Sequence, residues 1–168
     1  TAEITPVVGQ DEVVNADTGA RFNASDDSIE NPIQEAINDT DTKDGLTLLV
    51  GEGSYEESVR VTKSLIIEAA EGATPTVQDT QDDVSTLVVT ADDVTIDGVD
   101  INGTVTGGTP TAAIEGNGVT VTNTHVTHDG SGPNVGQALR IAASDVRVDA
   151  ADIEVSGFQN TGVSVLTE

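Results

Sequence analysis

From Leu46 onward, apolar side chains fall on alternate positions in short runs, and the runs are broken by polar or glycine joints. The stretches STLVVTADDVTIDGVDING (Ser85–Gly103), TAAIEGNGVTVTNTHVTH (Thr111–His128) and QALRIAASDVRVDAADIEVSG (Gln137–Gly157) repeat one pattern. Alternation of this kind predicts strands with one buried face. Superposing the repeats places Val59/Val61 over Leu87/Val89, Ala112/Ile114, Leu139/Ile141 and Val163/Val165. A second run aligns Leu65/Ile67 with Val94/Ile96, Val119/Val121 and Val146/Val148. A third is clear at Val99/Ile101 and Ile153/Val155 and weaker around Val126. The pattern returns every 24 to 29 residues, a period found in solenoid repeats. Insertions fall at one joint, where GTVTGGTPT and DGSGPNVGQ occupy equivalent places.

Two architectures write short strands this way. An antiparallel sandwich does, and Asn117-Gly118 would suit its hairpins. A parallel solenoid also requires the apolar pattern to recur in register, because each strand lies about 4.8 Å from its counterpart in the next coil. The in-register recurrence favours the solenoid.

Three segments follow from the composition along the chain: an N-terminal extension (1–30), a capping helix and linker (31–45), and coils (46–168). In the extension, Val7–Val8 and Val13–Val14 suggest short strands ahead of the polar run NASDDS. In NPIQEAIND, Asn31 is placed as N-cap, Pro32 at the first helical position and Gln34 as capping-box partner. Ile33, Ala36 and Ile37 share one face, so a helix of about two turns needs a surface to cover.

Composition sharpens this picture. The 168 residues hold no Trp, Met or Cys, one Tyr and two Phe, so the core must be built from Val, Ile, Leu and Ala. Small branched side chains suit stacked sheets better than a core packed around large aromatic anchors. Thirty acidic residues face six basic ones, for a net charge of −24. Disorder does not explain this acidity, since the β-branched periodicity persists throughout. The acidic, lysine-poor composition is similar to that of proteins from extremely halophilic archaea, whose carboxylate shells are screened by concentrated salt. Nucleic acid and anionic membrane are poor partners on charge grounds; cations, positively charged surfaces and other proteins remain open, and no apolar run is long enough to span a bilayer.

The segment NPIQEAINDTDTKDGLTLLVGEGSYEESVRVTKSLIIEAAEGATPTV resembles the opening of right-handed parallel β-helix proteins of the pectin-lyase-like superfamily. Gly51, Gly53, Tyr55, Glu56 and Val59 match the turn those proteins carry, and Lys63, Ser64, Leu65 and Ile67 match the strand after it. The resemblance, over residues 31–168, implies an all-β fold: a right-handed parallel β-helix of about four to five coils with a short N-terminal helix capping the first. It implies no single chemistry, because that superfamily contains both enzymes and non-enzymatic surface proteins.

Candidate chemistry is sparse. The four arginines, Arg21, Arg60, Arg140 and Arg147, do not assemble a lyase set; Arg140 and Arg147 should both point outward, on different strands. No polygalacturonase or pectin methylesterase signature can be mapped, so no catalytic residue is assigned. In THVTHDG, His125 and His128 beside Asp129 suggest metal ligands, but an extended strand places residues three apart on opposite faces. Val126 should point inward, with His125 and Thr127 outward and His128 solvated at the following turn. Acidic pairs recur at joints (Asp26-Asp27, Glu56-Glu57, Asp82-Asp83, Asp92-Asp93), where a Ca2+ or Na+ ion would find oxygen ligands. Asp92, Asp93 and His125 are the metal candidates on this basis. Asn23, Asn38 and Asn102 begin glycosylation tripeptides, with Asn102 expected to be the most accessible.

Gly162–Leu166 is expected to form an incomplete last coil without an intramolecular lid. An open solenoid edge recruits other strands, so Gly162, Val163, Val165 and Leu166 are expected to contact another subunit or further sequence, in an oligomer or filament. The function expected is a non-enzymatic structural or adhesive module, extracellular, on a cell surface or virion of a halophilic archaeal system. The other open class is a carbohydrate-active enzyme or carbohydrate-binding module on the same fold.

Overall fold

The computed structural model describes residues 6–26, 28–79, 81, 83–104, 108–129, 136–149, 152–156 and 161–166. Asp27, Asp82 and the centres of the two insertions lie outside the described residues. The chain opens with β1 (Glu12–Asn15), β2 (Arg21–Asn23) and α1 (Pro32–Asn38). Fifteen strands follow in repeating triplets: β3 (Thr47–Val50), β4 (Ser54–Glu56), β5 (Val59–Val61); β6 (Ile66–Ala69), β7 (Thr76–Gln78), β8 (Leu87–Val89); β9 (Thr95–Asp97), β10 (Asp100–Gly103), β11 (Pro110–Ile114); β12 (Thr120–Thr122), β13 (His125–Asp129), β14 (Gln137–Ile141); β15 (Arg147–Asp149), β16 (Asp152–Ser156), β17 (Thr161–Val165).

Every third strand stacks in parallel on its predecessor. The first sheet runs β15-β12-β9-β6-β3 and is extended by β1 and β2; the second runs β16-β13-β10-β7-β4 and the third β17-β14-β11-β8-β5. This is a parallel β-solenoid of about four turns, so the sandwich alternative falls. Register agrees with the sequence alignment in the first two runs, whereas in the third Ile101 stacks with Val126 and Ile153, so that Val155 falls in register with Gly103 and not with Ile101. Leu87 pairs with Val59 and Ala112, which continues through Leu139 to Val163; Ile67, Ile96, Val121 and Val148 form another column. Columns hold because like side chains from successive coils pack at one spacing, which buries a continuous apolar interior without any large aromatic anchor.

Several expectations need correction. Val13 and Val14 do lie in β1, but Val7–Val8 is not strand. The stretch expected to be a turn around Tyr55 contains a strand, β4. Around Val126 the third run is a full five-residue strand. The Asn117-Gly118 turn is not a hairpin. It links β11 to β12 across a corner and stacks on the Asp92-Asp93 corner below, with the Asp93 N–H donating to the Asn117 carbonyl at 2.8 Å. Gly116 in that corner lies so close to the coil beneath that a Cβ would sit 1.9 Å from the Ala91 carbonyl oxygen. Gly116→Ala should therefore lower stability by about 2 kcal/mol or more, read as a reduced urea midpoint.

The first coil is sealed. Ile33, Ala36 and Ile37 are fully buried, and α1 packs against β1, β2 and β5. Asn31 makes no side-chain cap, contrary to expectation. The first turn is capped instead by Glu57, whose carboxylate accepts the N–H groups of Ile33 (3.0 Å) and Gln34 (2.8 Å). Gln34 is thereby released from the capping-box role. Its side-chain amide mimics a strand, accepting from the Arg60 N–H (2.7 Å) and donating to the Arg60 carbonyl (3.3 Å), which satisfies the exposed edge of β5.

Candidate functional site

Gly51, Tyr55 and Lys63 form the clasp of this cap. Gly51 lets the N-terminal segment lie against the turn, since a Cβ there would meet the Gly9 carbonyl oxygen at 2.0 Å. The Tyr55 hydroxyl lies 3.1 Å from the Glu12 carbonyl and 2.9 Å from that of Gly51, tying β1 to the first coil. Lys63 donates to the Asp39 (2.9 Å) and Thr42 (2.8 Å) carbonyls, where cationic charge offsets the helix C-terminus. Within the acidic pair, Glu57 is the buried functional member and Glu56 is exposed. Burial of a carboxylate leaves no mark in composition, so the pair Glu56-Glu57 does not show in sequence which member is enclosed.

The acidic corners have structural work of their own. Asp44 accepts the Ser64 N–H (3.0 Å), Glu52 that of Thr74 (2.7 Å), Asp79 that of Thr104 (3.2 Å), Asp92 that of Asn117 (2.7 Å) and Asp100 that of His125 (2.9 Å). In each case the carboxylate belongs to the earlier segment and the donor to the coil that follows. Asp83, Asp93 and Asp145 also adopt left-handed backbone conformations, with φ of 61°, 55° and 57°. Aspartate tolerates that region better than most residues, so it turns the corner where glycine otherwise would.

The candidate metal residues are not brought together. Asp92 and Asp93 occupy the corner between the third and first sheets, whereas His125 stands on the second, in register with Asp100 and Asp152. Among the described residues, no three His, Asp or Glu side chains are grouped to hold a metal.

His128 departs most from expectation. It is not solvated at a turn; β13 continues through it and turns its ring inward, fully buried. Its Nδ1 lies 2.8 Å from the Thr111 hydroxyl, and its Nε2 has no hydrogen-bond partner among the described residues. Burial pushes the imidazole pKa down, while Asp129 and Asp79 act in the opposite direction. Gly103, its neighbour in register, makes room: a Cβ there would sit 2.2 Å from the Thr111 hydroxyl oxygen. The signal was present in the even spacing of Val126 and His128, which places both on one face of an extended strand.

Of the glycosylation candidates, Asn102 lies within β10, half-buried, with its carbonyl accepting the Thr86 hydroxyl. It is not the most accessible; Asn38, the last residue of α1, is exposed. Asn23 ends β2, and its side-chain oxygen accepts the N–H and hydroxyl of Ser25.

Two surface features remain. On the outer face of the third sheet, Arg60, Val88, Ala113 and Arg140 form one outward column. The segments 83–85 and 108–110 flank it, leaving a cleft of about 520 Å³. Arg140 pairs with Glu115 at 2.8 Å, and with Arg60 and Asp83 the cleft lining has no net charge. Arg147 points outward on the first sheet, away from the cleft. The other feature is the end of the solenoid: β15, β16 and β17 each have a sheet neighbour on one side only among the described residues. Val163, Val165 and Leu166 are 43%, 60% and 52% exposed there, and Gly162 is half-buried. Val165 and Leu166 adjoin Ala142 and Ala143 in a shallow hollow of about 690 Å³.

Comparison with family models, with characterised proteins and with solved structures found no match for the chain. The parallel solenoid rests on its own geometry. Among the described residues, no helix is long and apolar enough to cross a membrane.

Proposed function

We propose that the protein is a non-enzymatic structural module whose solenoid is extended at β15, β16 and β17, by the strands of another subunit or by further sequence of the same chain. The observation that carries this reading is the contrast between the two ends. One is closed by α1 and β1; at the other, among the described residues, β15, β16 and β17 each pair on one side only, beside the exposed side chains of Val163, Val165 and Leu166. Unpaired parallel edges with apolar columns behind them are templates for a further strand. An acidic surface of net charge −24 fits a protein working in concentrated salt, where like-charged copies approach one another. With the right-handed coil implied by the pectin-lyase-like resemblance, this supports an extracellular component of a cell surface, filament or virus spike of a halophilic archaeal system.

The test is a mass measurement by light scattering in molar KCl, on the wild type and on the Val163→Lys, Val165→Lys double variant. The wild type should associate, and the variant should weaken association about tenfold or more while its earlier coils stay folded, because coil stability is largely a sum over neighbours. A wild type that stays monomeric at high concentration overturns extension by another subunit.

A second reading, a carbohydrate-binding or carbohydrate-active module, is favoured by the cleft over Val88 and Ala113. Glycan binding lost on Arg140→Ala, with association unchanged, would select it.

A further inference from the structure

We propose that Glu57 is a proton-dependent latch on the sealed end of the solenoid: α1 docks most firmly when this carboxyl is neutral and loosens when it ionises. Glu57 is 2% exposed, and its two oxygens take the first free N–H groups of α1. Asn31 contributes no side-chain bond to that turn, so the helix start depends on a side chain from the first coil. No Lys or Arg pairs with Glu57 among the described residues; the ion pairs Arg21–Glu12 and Arg140–Glu115 lie elsewhere.

The groups around it favour the neutral acid. Glu35 on α1 is the charged residue that bears on it directly, and Glu57 in turn acts on Tyr55 of β4, which also feels Asp11, Glu12 and Glu52. Arg60 on β5 is exposed on the outer face of the sheet. Burial is the largest influence and raises the Glu57 pKa from 4.5 to about 7; the two N–H bonds oppose the rise and Glu35 adds to it.

The sign follows from linkage. The docked state takes up a proton near neutrality, whereas Glu57 in water does so at its ordinary value. Protonation therefore favours docking fully below about pH 4.5, and this advantage is lost as pH rises through about 7. The change in the docking equilibrium is on the order of 100-fold. When α1 lifts, Gln34 releases the backbone N–H and carbonyl of Arg60, and Ile33 leaves the interior. A sealed end becomes an open strand edge.

The experiment is a set of amide spectra of the full chain in molar KCl, recorded from about pH 5 to about pH 9. The Ile33 and Gln34 resonances should titrate with a midpoint near 7, and their exchange protection, corrected for intrinsic rates, should fall about 100-fold over the same range. Glu57→Gln should abolish both effects, while the general response of the acidic surface persists. A midpoint below about 5 in the wild type overturns the proposal, and so does an equal loss of protection in Glu57→Gln. If the variant does not fold, the wild-type midpoint decides alone.

Discussion

Replacing Val121 by Asp should unfold the solenoid around β12, whereas Thr120→Asp, one residue away, should leave it standing. Val121 is 3% exposed and lies between Ile96 and Val148 in an apolar column. A carboxylate there has no cation and no donor within the column, so it enters charged and unpaired or neutral and poorly bonded. Either form costs about 4 kcal/mol or more, at the extreme of single-substitution effects. Thr120 is half-exposed on the opposite face, in register with Thr95 and Arg147. An Asp at that position stays in water beside an arginine, so the expected change is within about 1 kcal/mol. Urea midpoints measured in molar KCl separate the two. Equal effects would mean that the strand faces are assigned the wrong way round. Because coils are stabilised mainly by their neighbours, the Val121→Asp chain should also lose cooperativity and unfold in two steps.

Stability should rise steeply with salt. The chain's thirty acidic residues against six basic ones leave a large excess of negative charge, which repels itself over distances that about 0.1 M salt leaves unscreened, and about 3 M salt shortens that range to a few ångströms. The short hydrogen bonds that Asp92, Asp100 and Glu52 accept from N–H groups of the following coil act at contact distance, so the same salt scarcely weakens them. Relief of repulsion therefore outweighs the loss of attraction, and the melting temperature should climb by about 10 °C or more between those salt concentrations. A flat melting temperature across this range, followed by circular dichroism, would remove the salt-adapted reading.

Much of the candidate site was legible before the fold. The exposed apolar edge at Val163, Val165 and Leu166 follows from the alignment of repeats, and so does the outward face of Arg140. What could not be read was how separate stretches meet. Asn31 has the right chemistry for an N-cap, yet a carboxylate 26 residues later in the chain holds the helix start instead. Local preference for a cap is worth about 1 kcal/mol, which a buried tertiary contact can override. The cleft beside Val88 is likewise invisible in sequence, because its walls come from two successive coils.

Alternating apolar residues with a period near one coil were enough to determine strands, faces and, in the first two runs, register, since side chains on a pleated strand have only two sides and a slip by one residue would expose the whole column. His128 obeys the same rule once β13 is allowed to run its full length. The tertiary structure alone decided which carboxylates are solvated and which are enclosed. Glu56 and Glu57 are adjacent and chemically identical, yet one faces water and the other is sealed beneath α1. That difference depends on the helix returning to cover the first coil, and on the cost of removing a charge from water, which is set by the surroundings and not by the residue.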